Sequence, residues 1–170
     1  MIRLTIMTFL LSTGLLCALF GQSDRKVDPA PKFTELSRED SARLDQQRTV
    51  VAAAVNRRYG TTALTKTKQD LPILQRLIDE GVFDKSQTYE LQSLGVAFGD
   101  VLASELPLRW VIVTDEFGTD PTLRFKQTTV QINALTMISK RVERGEPVNL
   151  SSLLRVTHEQ LARAPGNKDR

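Results

Sequence analysis

The run LRWVIVTD, residues 108–115, narrows the architectures open to this chain. A period of two puts Leu108, Trp110, Ile112 and Thr114 on one face and Arg109, Val111, Val113 and Asp115 on the other. Both faces are apolar in the middle, which predicts a strand placed centrally in its sheet. The segment DEFGTDP follows as an acidic turn, with Gly118 and Pro121 as breakers. Leu123 and Phe125 then alternate with Thr122, Arg124 and Lys126, and Val130 and Ile132 alternate with Thr129, Gln131 and Asn133. These are two half-buried strands joined by a hairpin near Gln127. Asn133 is placed to cap a helix reaching about Arg144, with Leu135, Ile138 and Val142 inward and Gly145 just past its end.

Upstream of the strands the period changes to that of helices. Ser37, with Asp40 three residues on, resembles a capping box and opens a helix to about Tyr59, where Gly60 stops it. Its buried face is Leu44, Val51 and Val55. A polar loop leads to a helix over residues 71–80, closed by Gly81. A third helix starts at Asp84 or Ser86 and runs to about Glu105, with the stripe Leu91, Leu94, Gly95, Phe98, Val101 and Leu102. Gly95 and Gly99, four apart, predict close packing of this helix on the sheet. Asn149 or Ser151 begins a last helix carrying Leu150, Leu153, Leu154, Val156 and Leu161. The expected fold is α+β: N-terminal helices, a short antiparallel sheet of about three strands, then two C-terminal helices packing on one sheet face.

Part of this pattern resembles a known family. The glycine-bearing helix 95–102, Arg109-Trp110-Val111, Asp115-Glu116-Phe117-Gly118 with Asp120-Pro121, and the long run TMISKRVERGE from Thr136 to Glu146 are similar to the bacterial domain-of-unknown-function family numbered 3806. The resemblance covers roughly the second half of the chain. It implies a bacterial protein with a small mixed domain, and it brings no activity and no catalytic residue with it.

At 170 residues and 41% hydrophobic content, the chain suits one domain with an ordinary core. Residues 4–23 carry no charge and follow Arg3, the pattern of a signal peptide over residues 1–23. An uncleaved membrane anchor is the alternative, since the apolar part, about 17 residues, sits at the short limit for a span. A lipoprotein ranks third, because Leu16 rather than a small residue precedes Cys17. Residues 24–36, with two prolines and mixed charge, read as a linker, 37–163 as the single domain and 164–170 as a disordered tail. The expected location is therefore periplasmic or envelope-associated, with membrane contact only through the N-terminal segment.

Cys17 is the only cysteine and His158 the only histidine. With Cys17 inside the export segment, thiolate sites and disulfides drop out of the domain, and zinc lacks its usual ligands. His158, beside Glu159 on the last helix, reads as a surface residue. Neither a metal nor a cofactor is expected. A net charge of +3, with both signs interspersed, is no nucleic-acid footprint. Two charged elements remain as candidate binding sites: the acids Asp115, Glu116 and Asp120, and the bases Lys140, Arg141 and Arg144. The acidic turn lacks the distal glutamate of an EF-hand. Arg141 is expected to be a structural ion-pair residue, with Asp100 as its partner. The leading functional expectation is a non-enzymatic domain that binds an envelope protein or a small ligand. The alternative is a hydrolase using Asp115, Glu116 or Asp120 with Arg141.

Overall fold

In a computed structural model, residues 30–60 and 64–164 are described. The segment expected to direct export, residues 24–29 of the expected linker and the stretch beyond Ala164 lie outside them. The chain order is β1 (Lys32–Thr34), α1 (Arg38–Tyr59), a 3₁₀ turn (Lys68–Asp70), α2 (Leu71–Asp79), α3 (Thr88–Glu105), β2 (Leu108–Asp115), β3 (Gly118–Phe125), β4 (Gln131–Ile132), α4 (Ala134–Glu143) and α5 (Leu150–Ala162). This is an α+β fold.

The sheet has four strands rather than three, antiparallel throughout, in the order β1-β2-β3-β4. The extra strand comes from the stretch read as linker: Lys32, Phe33 and Thr34 pair with Thr114, Val113 and Ile112. Three residues beside prolines carry no periodicity, so only the β2 edge reveals them. β1 leaves β2 with a neighbour on each side, as its two apolar faces required. On the inner face Leu108 and Trp110 stand opposite Phe125 and Leu123 and join the core. The other face holds Phe33, Val111, Val113, Thr122 and Arg124. There the Arg124 guanidinium lies 4.3 Å from the centre of the Phe33 ring, a cation–π contact, and Val111 is only 1% exposed.

The acidic turn is tighter than its composition suggested. Glu116 and Phe117 alone connect β2 to β3, with Gly118 at φ 134°. Asp120 and Pro121 belong to β3, opposite Val113 and Ile112. β4 pairs only with Leu123 and Arg124, so along Pro121 the outer side of β3 is an edge, where a missing N–H is tolerated.

Caps place the helices where local chemistry said. Ser37 accepts from the Asp40 amide while Asp40 accepts from the Ser37 amide. Gly60 and Gly145 take the left-handed conformation, at φ 69° and 70°. Asn149 caps α5 by accepting from Ser152 at 2.8 Å. Asn133 holds the cap position of α4, but its side chain makes no capping bond there.

Helix α3 is the hub. It packs against α1, α4, α2 and β2, and every residue from Ser93 to Leu102 is buried. Gly95 is turned toward α4, not the sheet: a Cβ there would meet the Ala134 and Leu135 carbonyl oxygens at 2.5 Å. Gly99 does serve the sheet, since a Cβ would meet the Trp110 ring at 2.5 Å. α5 packs on α2, where Gln75 donates to the Val148 carbonyl and accepts from the Leu150 amide. Of the two C-terminal helices, then, α4 lies against β3 and α5 extends the helical layer.

Candidate functional site

The absence of a side chain at Gly99 lets the Trp110 indole lie flat on α3, and this brings its N–H to the next residue, Asp100. Trp110 Nε1 donates to Asp100 Oδ1 at 2.9 Å. From the other side Arg48 of α1 donates twice, Nε to Oδ2 and Nη2 to Oδ1, both at 2.7 Å. Its remaining arm reaches Asp45 at 2.8 Å. The arginine expected to pair with Asp100 is Arg141; Arg48 takes that place instead, and Arg141 has no ion pair among the described residues. The Asp100 carboxylate, foremost, holds the Arg48 guanidinium above its ordinary range. Asp100 is 7% exposed, so this three-way joint ties α1, α3 and β2 from inside.

A second buried acid, Asp70, accepts from the Thr65 amide and hydroxyl at 2.9 Å each and from the Lys66 amide at 2.7 Å. It pins the loop in front of α2, including Lys66 at φ 60°. Asp70 and Asp100 line one cavity of about 400 Å³ with Arg48 and Lys66. Each carboxylate already accepts three hydrogen bonds from the surrounding fold, so both serve as structural anchors.

A cavity of about 770 Å³ opens between α1 and the connection from α2 to α3. Val50, Ala53 and Ala54 form one wall; Val82 and Phe83 form the other. At its rim Glu80 accepts from Arg58 at 2.9 Å and from Arg76 at 2.7 Å. These two guanidiniums, Arg58 first, hold the Glu80 carboxyl below its ordinary value. Arg76 also lies over the Tyr59 ring at 4.5 Å, and burial pushes the Tyr59 hydroxyl up. Arg57 and Glu90 line the same cavity and form no ion pair among the described residues. None of these cleft residues stood out in the sequence, because each belongs to an ordinary helical surface and only the tertiary fold makes them neighbours.

The residues singled out from sequence fall into two places. Lys140, Arg141 and Arg144 do come together, lining a cavity of about 270 Å³ with Thr136 and Glu146. Arg141 donates to the Met137 carbonyl one turn back in its own helix, and Arg144 stands 3.8 Å from Glu146. Asp115 and Glu116 sit at the hairpin tip, where Asp115 accepts from the Phe117 amide at 2.9 Å. Asp120 lines a different cavity, with Arg43 and Gln47 of α1. No ion pair links these acids to Arg141 among the described residues. The reason lies in β4. It ends at Ile132, opposite Leu123, whereas Asp115 is five residues beyond Trp110, the other partner of Leu123, or roughly 17 Å along the strand. His158 is exposed on α5. No group of three His, Cys, Asp or Glu residues among those described could hold a metal ion.

Residues 70–153 match the model of the family described as "Domain of unknown function (DUF3806)". The chain carries a DUF3806 domain. Its matched segment runs from Asp70 to Leu153, taking in the sheet except β1 and all the helices except α1 and most of α5. The DUF3806 segment thus supplies Asp100 and Trp110 but not Arg48, and Glu90 but not Arg57, so both the buried joint and the large cleft are completed by α1 from outside it. Among solved structures, a crystal structure of a Bacteroides thetaiotaomicron protein superposes with a TM-score of 0.70 at 16% identity, over 78% of this chain and 49% of that one. The likeness shows a shared fold, and this chain spans about half the length of that protein. No curated protein matches the chain in sequence.

Proposed function

We propose that the chain is an exported, envelope-associated bacterial domain that binds another molecule through the cleft between α1 and the α2–α3 connection. The observation that carries this reading is the cleft itself. At about 770 Å³ it falls within the range of small-molecule sites, and it combines apolar walls with a few charged groups at the rim, as such sites do. The charge-free run over residues 4–23 supports export. Among the described residues no helix is long and apolar enough to cross a membrane. The hydrolase alternative draws less support, because Asp115, Glu116 and Asp120 stand apart from Arg141, and the two buried carboxylates are occupied by the fold.

Two measurements test the reading. An NMR screen of small apolar and amphiphilic compounds should shift amide signals of Val50, Ala53, Val82 and Phe83 together; shifts scattered over the surface, or confined to α4, would remove the cleft from the argument. Mass spectrometry of the native protein should find a mature N-terminus between about Gly21 and Asp24, whereas an intact Met1 in membrane extracts would replace cleavage with anchoring.

A further inference from the structure

We infer that the cleft takes a zwitterion bearing an apolar side chain, either an apolar amino acid or a short peptide with free ends. This rests on the binding role proposed above and specifies its ligand.

Four charged side chains line the cleft: Arg57, Arg58, Glu80 and Glu90. Arg58 and Glu80 are joined at 2.9 Å, with Arg76 completing the Glu80 carboxylate. One cation and one anion remain, Arg57 in the last turn of α1 and Glu90 in the first turn of α3. Neither has an ion-pair partner among the described residues, and Glu90 is half-buried. A half-buried carboxylate has lost part of its water and gains from a cation brought to it. A guanidinium offers a fork that suits a carboxylate. A simple anion would satisfy Arg57 and face Glu90, and a simple cation would do the reverse. An apolar neutral molecule would strip water from both. A zwitterion meets each with its opposite, while its side chain rests on Val50, Ala54, Val82 and Phe83. Gly81 adds access, since nothing stands within 4 Å of where its Cβ would be. Each charge also suits the helix end that carries it, so the deciding readout is affinity and not stability.

The test is a calorimetric titration of the domain with leucyl-leucine, its C-terminal amide, its N-acetyl form, the doubly blocked N-acetyl amide and free leucine, followed by NMR to place the binding. Amidation and acetylation should each weaken binding to the wild type by about tenfold or more, the scale of one lost charge-assisted contact. In Arg57→Gln, amidation should cost nothing further; in Glu90→Gln, acetylation should cost nothing further. Free leucine binding as tightly as the dipeptide would assign the site to amino acids, and a tighter dipeptide would assign it to peptides. If the doubly blocked, neutral dipeptide binds the wild type as tightly as the free one, with shifts at Val82 and Phe83, the charge argument is overturned while the binding role stands. If no form shifts the cleft residues, both fall.

Discussion

Arg48, Asp100 and Trp110 form a buried joint in which every oxygen of the carboxylate is met at 2.7–2.9 Å. The acids at the β2–β3 hairpin and the bases on α4 carry more charge in plainer view, yet Glu116, Asp120, Lys140 and Arg144 are all exposed. Phe117 beside them is 87% exposed. The difference is one of solvent. In water an ion pair trades one good environment for another and nets about 0–1 kcal/mol. Away from water each charge needs its partner, and removing one leaves the other stranded at a cost of roughly 3–5 kcal/mol. The charge a reader of the sequence notices first is therefore the charge on which this fold depends least.

The comparison breaks first at Arg48. Arg48→Ala strands Asp100 inside the domain and is expected to lower unfolding stability by about 3–5 kcal/mol, read from urea melts. The double variant Arg48→Met with Asp100→Leu should recover much of that loss, because a buried pair replaced by apolar volume is often neutral. A smaller probe is Trp110→Phe, which removes one donor to an ionised oxygen together with the outer indole edge that lies on Gly99. The expected cost is about 1.5–3 kcal/mol. If Trp110→Phe proves silent, the joint is a pair and not a triad. Lys140→Ala and Arg144→Ala should each stay within about 1 kcal/mol, and Arg141→Ala close to that, since its visible partner is a backbone carbonyl of its own helix. A loss at Arg141 matching that at Arg48 would erase the contrast.

The last probe is pH, and it concerns the exposed class. Glu80 is held below its ordinary 4.5 by hydrogen bonds from Arg58 and then Arg76. A lowered folded value stabilises the domain above the unfolded value, and that contribution vanishes as pH falls through the folded one. The melting temperature of Glu80→Gln should therefore lie below wild type at pH 7 and converge with it below about pH 4. Added salt should shrink the gap at pH 7 as well. A gap unchanged by both would mean that Glu80 is held by packing and not by charge.

What the sequence made legible follows the same line between local and distant. Ser37 with Asp40, Gly60, Gly145 and Asn149 were readable because a cap is decided within about five residues. The alternation in β2 and β3 was readable because a strand's period is written along it. β1 was not, because three residues beside prolines become a strand only when the β2 edge is there to accept them. Arg48 and Asp100 lie 52 positions apart, and on α3 the acid sits within an otherwise apolar stretch that gives no hint of its partner. The cleft was hidden for a further reason. Arg57 and Glu90 look like helix-end charges of the commonest kind, and only the packing of α1 against α3 gives them a common cavity.

Helix α3 has a consequence in the time domain. It contains Gly95, Gly99, Val96 and Val101, a composition that holds a helix poorly by itself, and it is covered on all sides by elements before and after it in the chain. Its amide hydrogens can meet solvent only when those elements leave. Deuterium should enter the backbone at Val96, Phe98 and Val101 slowly and with one common protection factor, set by opening of the whole molecule rather than by local fraying. Those amides thus form an internal gauge of the global free energy in plain buffer. A ligand that binds only the folded state must slow all of them by the same factor, 1 + [L]/Kd, wherever on the surface it binds.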